Sequence, residues 1–279
     1  MNTPTSQKPY IYIKPAEGFQ YVDLKEIFHY RDLLFFMIKR NIKVKYKQTV
    51  LGGLWAVIQP FFMMVVFTLF FGKLAKIPSD GIPYPIFNYS AMVVWAYFSQ
   101  ALSQSGNSIV GEGNLISKIY FPRIIIPLTP VLSGLMDFCI AFFVLILMMC
   151  YFHIYPSISS IYLPFLVLLL ILTASGVGMI LAALNAKYRD IQYTIPFLVQ
   201  LWMFASPIVY PSSLIPEKYR VYYALNPMVG VIEGFRSALL RTDAFPTQTV
   251  LVSSLVSLTL FIVGLLYFKQ VERYFADVL

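Results

Sequence analysis

The sequence predicts an all-α integral membrane protein: six transmembrane helices, an N-terminal amphipathic interface helix, and an outer re-entrant or interfacial helical hairpin between the fifth and sixth spans. Three observations carry this reading. Of 279 residues, 58% are hydrophobic and only 12% charged, whereas about a quarter are charged in a soluble domain. Six apolar stretches, 52–72, 86–106, 124–151, 161–184, 191–210 and 249–268, approach the roughly 20 residues that cross a bilayer as helix. The basic residues are unevenly distributed, nine of them lying between Lys8 and Lys47 ahead of the first span. With the amino terminus inside, 15 of the 21 Lys and Arg fall on the interior, which places both termini in the cytoplasm. Topology thus accounts for the net charge of +8 without a nucleic-acid partner. The chain divides into a cytoplasmic N-terminal segment, 1–27, and one transmembrane domain, 28–279. Residues 1–27 hold no apolar core of signal-peptide length.

Residues 1–20 carry Pro4, Pro9 and Pro15 among polar residues and read as extended chain, until Asp23 offers a helix cap with Glu26 three residues on. From Arg31 to Lys47, Phe35, Ile38, Ile42 and Tyr46 share one helical face and Lys39, Lys43 and Lys47 line a flank. That is the pattern of a helix lying in the inner membrane interface. Met37 and Val44 break it, and a basic helix that simply faces solvent or headgroups is the alternative.

The first span opens on Gly52, Gly53 and Trp55 and contains Pro60, which predicts a kink. Trp55, Gln59, Phe62 and Val66 fall on one face of it, as do Tyr193, Phe197, Gln200 and Phe204 on the fifth span. Rings offer stacking surface to the C–H face of a sugar, and amides offer hydrogen bonds to its hydroxyls. Lipid contact or helix packing explains the same spacing.

Between the second and third spans, Gly111 to Arg123 forms a polar connector that reads as the place where another protein pushes on the bundle. Pro122 ends any helix before it, and Arg123 can hold the next helix start at the charged membrane surface. The third span contains Asp137, costly in lipid and so expected to face the bundle or a hydrated cavity. A hydrogen-bonded structural role and proton coupling both remain open for it. In the fourth span, Ala174, Gly178 and Ala182 recur every four residues, a close-packing signal. After Tyr210, Pro227 splits an apolar run into two short helices, and Glu233 and Arg236 stand one turn apart, able to pair.

Enzymatic chemistry has little support. GEGNLISK around Lys118 lacks the ending of a phosphate-binding loop, and no nucleophile elbow or paired acidic metal motif occurs. His29 and His153 fall in different compartments, so neither catalytic residues nor a metal site are assigned. Cys139 and Cys150 lie eleven residues apart on one predicted helix, about 16 Å along its axis and beyond disulfide reach. They read as packing residues.

The segments YRDLLFFMIKRNIKVKYKQTVLGGLWAVIQP, NLISKIYFPRIIIPL, NAKYRDI, SPIVYP and LNPMVGVIEGFRSALL make a recognisable series. In them the chain resembles the permease subunit of bacterial ABC exporters for polysaccharides, the group serving O-antigen, capsule and teichoic acid, from about Tyr21 to the last span. The resemblance implies a homodimer in the bacterial inner membrane, each subunit paired with a separate ATP-binding cassette ATPase, with a lipid-linked polysaccharide exported between the two permeases. It implies no cofactor on this chain, ATP and Mg being used by the partner. Gly111, Glu112, Gly113, Asn114 and Lys118 would fall on the coupling helix, and Arg31 to Lys47 on the interface helix. Ser206 to Ile208 and Asn226 to Arg236 would form the outer hairpin region. The aromatic channel lining would fall on Trp55, Gln59, Phe62, Tyr193, Phe197, Gln200 and Phe204. A permease for a drug or simple lipid, an ion-coupled transporter and a membrane-embedded transferase are the competing readings. The last would need a catalytic constellation, and an ion-coupled transporter more intramembrane charge than Asp137 alone.

Overall fold

A computed structural model describes residues 24–47, 52–116, 118–240 and 245–275, and every regular element among them is helical. The Asp23 cap and the proline-bearing segment before it lie outside the described residues. In chain order the helices are α1 (Leu24–His29), α2 (Arg31–Lys47), α3 (Trp55–Phe67), α4 (Tyr84–Gly111), α5 (Gly113–Ile116) and α6 (Ile125–Tyr151). There follow α7 (Leu163–Lys187), α8 (Ile191–Phe204), α9 (Glu217–Tyr223), α10 (Pro227–Leu240) and α11 (Thr247–Val271). Four helical stretches among the described residues are long and apolar enough to cross a membrane: Trp55–Leu74, Ile125–Tyr151, Ile158–Lys187 and Thr247–Val271.

The hub is α4, which packs on α3, α6, α7, α8 and α10. It is long enough to span but carries Asn88, Ser90, Ser99, Gln100, Ser103 and Gln104, so its composition is less apolar than that of its neighbours. Tyr89, Phe98 and Ile109 on it are nevertheless fully buried. A helix whose neighbours are protein need not be greasy all round; that demand falls on the helices around it. Small residues let those helices close in. A Cβ built on Gly176 of α7 would stand 2.6 Å from the Leu260 carbonyl oxygen of α11, and one built on Gly178 would stand 2.5 Å from Ser105 Oγ of α4. The spacing of Ala174, Gly178 and Ala182 therefore marks real burial, while the tightest crossing, Gly176 on Gly264, lies on the opposite face of α7 from that series.

Three expectations are corrected. The apolar run 191–210 is helical only to Phe204, because Pro207 disfavours helix at Ser206 before it and Pro211 follows. Cys139 and Cys150 are exposed, so they are not core packing residues. The proposed lipid face of α2 is divided: Phe35 is exposed and Tyr46 reaches into the bundle, whereas Met37, off-pattern in the sequence, is the buried residue. The helix docks on protein along one side, packing on α6.

The break at Pro227 falls where expected, between α9 and α10. Asn226 caps the second helix, its Oδ1 accepting from the Met228 N–H at 3.1 Å and from Trp202 Nε1 at 2.8 Å. α10 is packed among α4, α7 and α11, and every residue of it except Glu233 is buried. Arg236 and Glu233 do pair, at 3.3 Å. At the other end of the bundle Arg123 binds protein: its N–H donates to Glu272 Oε1 and its Nη1 to the Glu272 carbonyl at 2.6 Å, joining the start of α6 to the end of α11.

Candidate functional site

Helices α3 and α8 stand on either side of α4 and enclose a groove of about 380 Å³. Trp55, Gln59 and Pro60 form one wall, Pro196 and Val199 the other, and Ser99, Gln100 and Ser103 of α4 the floor. Of the residues the sequence assigns to a channel, Trp55 and Gln59 line this groove directly. Phe62, Tyr193, Phe197, Gln200 and Phe204 are exposed on the same two helices. Tyr193 is 76% exposed, and none of the seven is buried, so packing within this subunit is not what holds them. α8 is anchored instead by Ile195, fully buried and pointing at Gly106. The polar floor was not singled out from the sequence. Its signal was there, in Ser99, Gln100, Ser103 and Gln104 at positions i, i+1, i+4 and i+5 of an otherwise apolar stretch.

One end of the groove is closed by Lys45 and Asp137. Lys45 Nζ lies 2.6 Å from Asp137 Oδ2, and Tyr46 Oη donates to Asp137 Oδ1 at 2.5 Å. The intramembrane carboxylate thus has both of its oxygens occupied by α2, the partners a structural role requires. The Tyr46 ring is wedged beside Gly53, where an added Cβ would stand 3.2 Å from it. Burial raises the Tyr46 phenol above its ordinary value, and the hydrogen bond and charge of Asp137 raise it further.

A second cavity, of about 460 Å³, lies on the far side of the same pair, between α2 and the facing parts of α4 and α6. Arg40, Asn41, Gln104, Glu112, Ser133 and the Lys45–Asp137 pair line it. Arg40 forms an ion pair with Glu112, the residue that ends α4. The connector is therefore tied to α2. Among the coupling candidates, Gly111, Asn114 and Lys118 are exposed, while Glu112 and Gly113 are half-buried. Ile116 is sunk into a small core with Met37, Phe121, Ile125 and Phe268. Ile119 and Tyr120, 58% and 79% exposed, extend the accessible surface of the connector and escaped the sequence reading because polarity was the criterion there. Arg40, Lys45 and Tyr46 escaped it because α2 was read as a lipid-facing element.

The family model for ABC-2 type transporters matches residues 32–240, from the start of α2 to the end of α10. The chain belongs to that family. It is 28% identical over 241 residues to the O-antigen export system permease protein RfbA of Myxococcus xanthus, covering 84% of this chain and 92% of that one. An O-antigen export system permease protein RfbA of Klebsiella pneumoniae is 26% identical over 249 residues, 89% and 95% of the two chains. The polysialic acid transport protein KpsM of Escherichia coli is 26% identical over 209 residues, 72% and 78%. Membership in a membrane transporter family agrees with the apolar helices. The groove, the cavity and the clamp between them all lie in the part of the chain that the ABC-2 family model matches.

Proposed function

We propose that this chain is the transmembrane subunit of an ATP-driven exporter that moves a lipid-linked polysaccharide, O-antigen-like or a related glycan, across the bacterial cytoplasmic membrane between two copies of itself. The observation that carries the proposal is the groove: Trp55 and Gln59 of α3 stand over hydroxyls and an amide of α4, with Pro196 and Val199 of α8 opposite and the exposed rings of α8 on the same helix outside it, in a chain whose relatives are named for O-antigen export and polysialic acid transport over most of their length. The relatives named for O-antigen export and polysialic acid transport favour this reading over a drug or simple-lipid permease.

In this reading α3, α4, α6, α7, α8 and α11 make six crossings, with both termini in the cytoplasm. α8 spans about 21 Å, short of the roughly 30 Å hydrocarbon core. The residues after it complete the crossing as irregular backbone, which is tolerated where protein covers it, and Ser206, Pro207, Ile208 and Val209 are buried. The α9–α10 hairpin returns to the outer side, α10 being re-entrant. A separate ATP-binding cassette ATPase, using ATP and Mg, docks on Gly111 to Lys118. Its thrust passes through Glu112 and Arg40 to α2, and from Lys45 and Tyr46 to Asp137 on α6. A moving polymer needs many shallow contacts, as in conduction over multiple weak sites, and stacking rings supply them.

The test is the pair Tyr193→Ala and Phe197→Ala. Both side chains are exposed, so the abundance of the subunit and basal ATP hydrolysis by the complex should hold while polymer at the cell surface falls. Full export per molecule, with less protein in the membrane, would assign these rings to subunit packing and sink the channel reading.

A further inference from the structure

The two cavities meet at one place. Lys45 and Asp137 line both the groove and the cavity beneath α2, so the ion pair is the wall between them. The cavity beneath α2 differs in chemistry from the groove. Its lining is not aromatic except for Tyr46; Ile42, Val44 and Gly134 supply apolar surface, and beside them stand the amides of Asn41 and Gln104, the Ser133 hydroxyl and the two ion pairs. Two cations, Arg40 and Lys45, stand against two anions, Glu112 and Asp137, leaving no surplus charge for a polyanion. Planar amides, carboxylates and guanidinium groups are the side chains that bond pairs of neighbouring hydroxyls. A volume of about 460 Å³ lies within the range of small-molecule sites, about 300–1,000 Å³.

We propose that this cavity is a loading vestibule for a neutral, hydroxyl-rich stretch of glycan, and that the Lys45–Asp137 pair is the partition the glycan must open to enter the groove. The inference rests on the polysaccharide-export reading and adds to it a site and an order of passage. Separating a mostly buried pair is unfavourable unless each partner finds new hydrogen bonds. Sugar hydroxyls, which donate and accept, can take up Lys45 and Asp137 together. An empty vestibule therefore keeps the partition shut, and an occupied one eases it open. Since Lys45, Tyr46 and Arg40 all sit on α2, and Arg40 is held by Glu112 of the connector, a push on the connector acts on the same partition.

Two thiol-labelling measurements test this, on the full chain with its ATPase partner, after Cys139→Ser and Cys150→Ser. Inside-out vesicles are prepared from cells that make the host's own lipid-linked polysaccharide and from cells that cannot. N-ethylmaleimide should label Gln104→Cys about tenfold more slowly when polymer occupies the site. Lys43→Cys, exposed on α2 outside the cavity, should not change. Equal rates at Gln104→Cys while export proceeds would overturn the vestibule and leave the export reading standing; a wild-type chain that exports no polymer would overturn both. A polymer that is anionic in every repeat would overturn the neutral-glycan assignment. For the partition, an impermeant maleimide added on the cytoplasmic side should label Ser99→Cys in the groove about tenfold faster with Lys45→Met or Asp137→Asn, as the open population grows. The swap Lys45→Asp with Asp137→Lys should return the rate toward wild type. If those variants fail to accumulate, Tyr46→Phe, which strands no charge, should still raise the rate. No rise in a folded variant removes the partition.

Discussion

Arg236 offers the sharpest test of the packing that holds α10 in place. It is 2% exposed, its Nη2 donates to the Ile208 carbonyl at 2.8 Å and its Nε to the Phe87 carbonyl at 3.3 Å. Its guanidinium lies 3.7 Å from the Phe87 ring centroid, and Glu233 pairs with it at 3.3 Å. Arg236→Met keeps the length of the stem and removes the head. It strands the Glu233 carboxylate, and breaking a buried pair from one side costs about 3–5 kcal/mol. The Phe87 carbonyl also accepts from Ser90 Oγ at 2.8 Å, so the further loss falls mainly on Ile208. Adding Glu233→Gln removes the stranded charge, leaving about 1–3 kcal/mol for the deprived carbonyl. Thermal unfolding of the purified chain in nanodiscs should therefore show an apparent Tm about 10 °C lower in the single variant, with roughly half of that recovered in the double. A single variant as stable as wild type would mean that the guanidinium is not sequestered. A double variant no better than the single would show that packing, and not a stranded carboxylate, sets the loss.

Gly264→Val should separate α7 from α11, since even a Cβ there collides with Gly176 backbone; overpacking of about 1–3 kcal/mol or more should appear as lower thermal stability, and an unchanged Tm would refute the close crossing. Cysteines at Glu112 and Asn114 should crosslink to the ATPase subunit, the exposed Asn114 more readily than the Arg40-bound Glu112. Crosslinks confined to the loop 186–190 would move the coupling element there. Thiol labelling of cysteines at Lys218 and Thr247 should report the outer side at both positions, and an interior signal at Thr247 would turn the α9–α10 region into a seventh crossing.

Much of the fold was legible because its signals are local. Length and apolarity along a single helix mark α3, α6, α7 and α11, and a residue before proline marks the break at Asn226. The shared face of Trp55 and Gln59 is likewise a matter of helical spacing, and the two residues do meet in one groove. What stayed hidden depends on which helix lies opposite. Asp137 and Lys45 are 92 residues apart, and no periodicity in either helix names the other as its partner. The same holds for Met37, whose burial depends on the small core that Phe121 and Phe268 build beneath it.

α4 shows how the two kinds of signal combine. Its serines and glutamines look like defects in a membrane span only while lipid is assumed to surround it. Once five other helices are placed against it, those side chains must be met by polar partners or open onto a cavity, because hydrocarbon cannot solvate them. Ser105 Oγ meets the Pro127 carbonyl at 2.8 Å, the first outcome; Gln100 and Ser103 line the groove, the second. The polar residues left without a helix in front of them are thus the ones that open onto the groove.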